Sequence, residues 1–186
     1  MRRYSLPESI FAAGVEYPIR TDFRAVLDVM AAMNDPDLDD YAKNMVMLQI
    51  MVPDWRKIPE GDLREVLYRL VDFIDCGNQD DGKPHPKLYD WDQDAIVLIP
   101  AINSVAHTDI RALPHLHWWT FLSYFMEIRE STFSDILAIR QKLARHKKLE
   151  KHEREFLQAN RDIVVLRTRD SEEVRREKDN ILKFCR

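Results

Sequence analysis

Glycine, cysteine and long apolar runs are all scarce in this chain. Four glycines in 186 residues leave little room for phosphate-cradling loops, and neither G-x-G-x-x-G nor a phosphate-loop pattern occurs. Cys76 and Cys185 are the only cysteines. They form no C-x-x-C motif and no disulfide framework, so a reducing compartment is expected. No apolar stretch reaches the roughly 18 residues that cross a bilayer. After Met1-Arg2-Arg3-Tyr4 come Pro7 and Glu8 in place of an apolar segment, so no signal peptide is expected. Hydrophobic content of 45% and charged content of 32% suit an ordinary globular chain and exclude a disordered one.

What is abundant is aromatic and helical. Leu113-Pro-His-Leu-His-Trp-Trp-Thr-Phe-Leu-Ser-Tyr-Phe125 holds two Trp, two Phe and a Tyr. Each such side chain buries on the order of 150–250 Å² when enclosed, so the run belongs in a core or in an interface. With so few glycines and so much 3.6-residue periodicity, the predicted class is mainly α: a helical bundle with a small N-terminal β-hairpin and a charged C-terminal helical extension. The hairpin is expected at about 4–20, where Ile10 and Phe11 precede a Gly14 turn and Val15, Tyr17 and Ile19 alternate with polar residues. Pro18 confines its strand to an edge or a non-bonding position.

Helices are expected from Thr21 or Asp22 to Met33, with a stripe of Phe23, Val26, Leu27 and Met30, and over Asp39–Met51, stopped at Val52-Pro53. A third starts at 59–62 with an Asp62/Glu65 capping pair, buries Leu63, Val66, Leu67, Leu70, Phe73 and Ile74, and stops at Gly77. Residues 77–87 read as the clearest loop. A further helix is expected to open at Asp90 and to kink or end at Pro100. The aromatic helix follows, and Thr132-Phe-Ser134 opens the next, with Ile136, Leu137, Ile139, Arg140 and Leu143. Leu149, Phe156 and Ile163 lie seven apart without a matching second apolar position, which argues against a coiled coil and for charged helices that dock on a neighbour. The division expected from charge is a helical domain over 1–145 and an extension over 146–186. Residues 142–186 carry 14 Lys/Arg against 9 Asp/Glu, whereas the preceding part carries 14 against 23.

No constellation spells catalysis. His115 and His117 stand two apart, a spacing that points helical side chains in different directions. A metal-dependent enzyme using His107, His115, His117 and the Asp90–Asp94 acids is the weaker alternative. Those acids suit the positive end of a helix and lack the spacing of a calcium loop. Ser123, Ser131 and Cys76 have no activating surroundings. The basic residues Arg140, Lys142, Arg145, Lys147, Lys148 and Lys151 are interrupted by Glu150, Glu153 and Glu155, which argues against nucleic-acid binding. The expectation is therefore no enzyme, no cofactor, no metal, no nucleic acid and no membrane. Seven methionines, among them Met45, Met47 and Met51 on one short helix, form plain core on the simplest reading. The same side chains also suit an adaptable surface for apolar helices. Candidate protein-binding residues are Trp118, Trp119, Met45, Met47, Met51 and Arg140.

Three segments in order, Ile19-Arg-Thr-Asp-Phe-Arg24, Leu88-Tyr-Asp-Trp-Asp-Gln-Asp94 and Leu116-His-Trp-Trp-Thr-Phe121, resemble the gene-product-fifteen family of tailed bacteriophages. The hairpin before them and the Ile139-Arg140 helix after them fit the same pattern, and the resemblance covers about 4–145. His107-Thr-Asp-Ile110 departs from the Tyr-Gly-Ile-Asp type of segment usual there, and Thr120 replaces a common Lys. The resemblance implies a product of the tail morphogenesis region. Such a protein would act in the host cytoplasm, as a chaperone-like binder of the tape-measure protein or a structural tail component. The partners it implies are the tape measure, the tail tube or a companion tail chaperone; a homo-oligomer is also admitted.

Overall fold

In the computed structural model, described over residues 5–77, 82 and 85–167, the chain separates into two compact units divided at Gly77. The boundary expected near 145 was drawn from charge; the contacts divide the chain at the 77–87 loop, and residues up to 167 belong with the second unit. The mainly α class with an N-terminal hairpin is what the structure contains: eight α-helices and one two-stranded sheet among the described residues.

The first unit opens with strands β1 (Ser9–Ala12) and β2 (Val15–Pro18), antiparallel with Ile10 opposite Tyr17 and Ala12 opposite Val15. Ala13 and Gly14 form the turn at φ 51° and 79°. A two-residue turn with both central residues left-handed has the twist that strands need. Ile10 and Ala12 are buried, and β1 packs on α3 (Leu63–Ile74). Helix α1 (Phe23–Met33) begins where the Asp22 carboxylate accepts the Arg24 N–H at 3.0 Å. Asp39 caps α2 (Asp40–Met51) in the same way, at 2.7 Å from the Ala42 N–H. The Arg20 N–H donates to the Met51 carbonyl at 2.7 Å, joining the end of the hairpin to the end of α2.

The first core gathers Phe23, Val26 and Val29 from α1, Met47, Leu48 and Met51 from α2, and Val66, Leu70 and Phe73 from α3. Two expectations change here. The inward stripe of α1 ends on Val29, with Leu27 and Met30 only half-buried. The Asp62 side chain makes no capping bond, because a 3-10 turn over Glu60–Asp62 leads straight into α3. At the other end of α3, Cys76 takes the left-handed position (φ 55°), and the Cys76 and Gly77 N–H groups return to the Phe73 and Asp72 carbonyls. That is the Schellman pattern, one residue earlier than glycine usage suggests.

The second unit contains α4 (Ala95–Ala106), α5 (Trp118–Met126), α6 (Thr132–Ala144), α7 (Lys151–Ala159) and α8 (Arg161–Val164). Helix α4 starts at Ala95 and not at Asp90. Ahead of it the Asp90 carboxylate accepts the N–H groups of Asp92 and Gln93 at 3.1 and 3.0 Å, closing a tight turn. Pro100 lies inside α4, which continues past it to Ala106. The ring cannot donate to the Ile96 carbonyl, and the helix survives that one missing bond. His117 caps α5 through Nδ1, which accepts the Trp119 N–H at 3.1 Å. Ser131 and Ser134 form the capping box of α6. Leu149, Phe156 and Ile163 all pack against the buried Ile136, Ile139 and Val164. The seven-residue spacing thus marks a docked pair of helices within this unit. The rest of the expected extension, 168–186, lies outside the described residues.

Candidate functional site

Arg140 stands at the centre of the second unit, and its burial follows from the α6 stripe of Phe133, Ile136, Ile139 and Arg140. Its side chain is 5% exposed and that of Asp94 is 0% exposed. The guanidinium grips the carboxylate with two bonds, Nη1 to Oδ2 at 2.6 Å and Nη2 to Oδ1 at 2.8 Å. Nε donates to the Val164 carbonyl at 2.7 Å, Nη1 to that of Leu88 at 2.9 Å and Nη2 to that of Ile163 at 2.8 Å. An arginine has five N–H donors, and each has an acceptor here. Asp94 Oδ2 also accepts the Asp90 N–H at 2.9 Å. A planar fork fully occupied within its own unit has no donor left for a partner, so Arg140 is a structural tie.

Around this tie the aromatic run forms a layer. The Trp91 ring lies 5.0 Å from both Tyr89 and Phe125, 5.8 Å from Phe121 and 6.0 Å from Trp118. Trp118 and Phe121 stack at 5.5 Å and are fully buried. Burial pushes the Tyr89 hydroxyl above its ordinary range. The run is therefore core, with Trp119 half-buried at its margin.

The candidate binding residues divide in the same way. Trp118, Met47, Met51 and Arg140 are buried within their own units, while Trp119 and Met45 are half-buried and partly accessible. The residues of the metal-site alternative do different local work. His117 caps a helix, Asp90 closes a turn, Asp94 binds Arg140, and His107 ends α4 in the left-handed region. Among the described residues no group of three His, Cys, Asp or Glu could hold a metal ion, and no helix is long and apolar enough to cross a membrane.

Two features escape a reading of the sequence. One is a groove of about 300 Å³ along one face of α4, formed by Ile96, Val97, Pro100, Ala101 and Ser104. Ser131 and Thr132, at the start of α6, form its other wall. Ile96 is 73% exposed at its rim. A clue was available in the chain: small residues and a proline follow Ile96 at helical spacing on a segment otherwise apolar. The other is a clamp between α6 and α7, in which Lys142 Nζ donates to Glu153 Oε1 at 2.6 Å. Glu153 Oε2 also accepts the Glu150 N–H at 2.8 Å. The Lys142 hydrogen bond and charge hold the Glu153 carboxyl below its usual range, and Glu153 in turn raises Lys142. Of the basic residues singled out, Arg140 and Lys142 are thus engaged internally, and Arg145, Lys147 and Lys148 are exposed.

The family model described as Bacteriophage Gp15 protein aligns with residues 4–166. Neither the curated proteins nor the solved structures compared with the chain give a match.

Proposed function

Since the chain belongs to the bacteriophage Gp15 protein family, we propose that it acts in tail assembly as a chaperone-like binder of the tape-measure protein. Family membership itself points to a phage structural or morphogenesis protein that works with other phage proteins. The finer reading is supported by one observation, the open α4 groove with Ile96 exposed at its rim. An apolar face on a rigid helix, walled by a second helix start, suits an amphipathic helix laid in a groove. Val97 anchors the floor by packing on the Ile136–Ile139–Val164 core, so the groove is held in shape before a partner arrives. No catalytic role is part of this proposal; the host cytoplasm, where tails assemble, is its proposed site of action.

The test is co-expression with the tape-measure protein encoded in the same tail region, followed by size-exclusion chromatography. Co-elution, with the tape measure soluble only when this chain is present, is the expected result. Ile96→Asp should abolish it while leaving the circular-dichroism melt unchanged, because the side chain is mostly in solvent. An equally insoluble tape measure with or without this chain overturns the chaperone reading. Presence in purified particles would then identify a structural tail component.

A further inference from the structure

The hairpin of the first unit has two unlike edges. In the observed register Ile19 N–H bonds the Glu8 carbonyl at 3.0 Å, which makes Ser9 opposite Pro18 a non-hydrogen-bonded pair, and Phe11 opposite Glu16 another. The N–H and C=O groups of Ser9 and Phe11 therefore point away from β2, along the free edge of β1. No described residue bonds to these backbone groups. The outer edge of β2 is closed differently: Pro18 has no N–H, and Arg20, two residues on, already donates to Met51. Apart from its short length, the β1 edge has no blocking charge, proline or backbone partner among the described residues. Ser9-Ile-Phe-Ala12 carries no charge and no proline, and Phe11 is 65% exposed. Folded proteins cover or charge such an edge, since it templates another strand.

We propose that β1 pairs with β1 of a second copy of this chain, antiparallel about a two-fold axis at Ile10, to make a continuous four-stranded sheet. The choice of occupant comes from self-complementarity. Pairing Ser9 with Phe11 of the other copy, and Phe11 with its Ser9, satisfies every outward N–H and C=O of those residues at once. Shifting by two residues in one direction sets Phe11 against Pro7, which has no N–H to give. Shifting in the other sets Ser9 against Ala13, which the turn holds at φ 51°. In the favoured register Glu8 faces Ala12, so no like charges are opposed. The two copies present the same patch to each other, the isologous arrangement that closes a dimer without leading to a filament. A lone two-stranded hairpin is marginal, and the added strands extend it.

Sedimentation velocity combined with residue-level amide exchange by NMR tests this on the full chain. The expected result is a concentration-dependent species of twice 22.1 kDa. In it the Ser9 and Phe11 amides exchange about tenfold or more slowly than in the dilute monomer. The Ile10 and Ala12 amides, bonded within the hairpin, should not change. Phe11→Lys, at an exposed position, and Ser9→Pro, which removes the outward N–H together with the Ser9 hydroxyl that donates to Glu16, should each give a monomer with unchanged helical content. A wild-type chain still monomeric at about 0.1 mM overturns the proposal and leaves the edge to a strand of another protein. A dimer that survives both substitutions, or one in which Ser9 and Phe11 exchange as fast as in the monomer, overturns it equally.

Discussion

Removing either member of the Arg140–Asp94 pair strands the other inside the second unit. Asp94→Leu leaves a guanidinium, 5% exposed, with the Val164, Leu88 and Ile163 carbonyls but no counter-charge. Arg140→Leu leaves a wholly buried carboxylate and three carbonyls without donors. Breaking a buried pair from one side costs about 3–5 kcal/mol, so each single substitution is expected to fall in that range. Arg140→Lys keeps the charge but supplies three donors from a point where five in a fork were used, and should lose about 2 kcal/mol. The double substitution removes both charges and should recover part of the loss. It should not recover all of it, because the three carbonyls remain. A coupling of about 1–3 kcal/mol between the two singles is the expectation. Urea unfolding in a Trp55→Phe background measures it, since Trp91, Trp118 and Trp119 then all report on the second unit. With a slope of about 1–2 kcal/mol per molar, either single change lowers the midpoint by roughly 1.5 M or more. Single losses below about 1 kcal/mol, or losses that simply add in the double variant, would refute the argument.

The Lys142–Glu153 clamp sets a pH window. Glu153, lowered from 4.5 by Lys142, contributes stability above that value that disappears as pH falls through its folded pKa. Lys142, raised from 10.5 by Glu153, contributes stability below that value that disappears as pH climbs through its own. Melting temperatures of wild type and Glu153→Gln should therefore differ most between about pH 5 and 10 and converge outside that range at both ends. Ala13→Asn should stabilise the hairpin by about 0.5–1 kcal/mol, since asparagine tolerates the left-handed turn position better than alanine; a lower melting point would contradict the turn assignment. Trp118→Ala should cost about 3–5 kcal/mol as a large core deletion. Trp119→Ala, at the margin of the aromatic layer, should cost far less by the same thermal melt; similar losses would place both rings in the core.

The sequence is most legible where a feature is local. Alternation around Gly14 predicts the hairpin, since strand period and turn chemistry sit within a dozen residues. The aromatic run predicts burial in a core or an interface because so much apolar surface must be hidden, and the thin apolar pattern of Leu149, Phe156 and Ile163 predicts charged helices docked on a neighbour and no coiled coil. Distance along the chain is what conceals the rest. Asp90, Asp92 and Asp94 look alike as an acidic helix start, and only the fold turns Asp94 inward to meet Arg140, 46 residues away. For the same reason Arg140 reads as one cation of a basic tail. Met45, Met47 and Met51 show the limit of periodicity: spacings of three and four favour a stripe of Met45, Leu48 and Val52, whereas packing turns Met47, Leu48 and Met51 inward and leaves Met45 half-buried.

Arg140 also imposes an order of events on synthesis. The first unit holds all its described elements once residue 77 has been made. The guanidinium, however, waits for the carbonyls of Ile163 and Val164, and the apolar cluster of the second unit waits for Val164 itself. Until those two residues have left the ribosome, two of the five guanidinium donors have no acceptor. Domains fold in turn as the chain emerges, and the long loop closed by this tie makes the later unit the slower one to settle. A chain cut short just before Ile163 would keep its salt link and lose its seal.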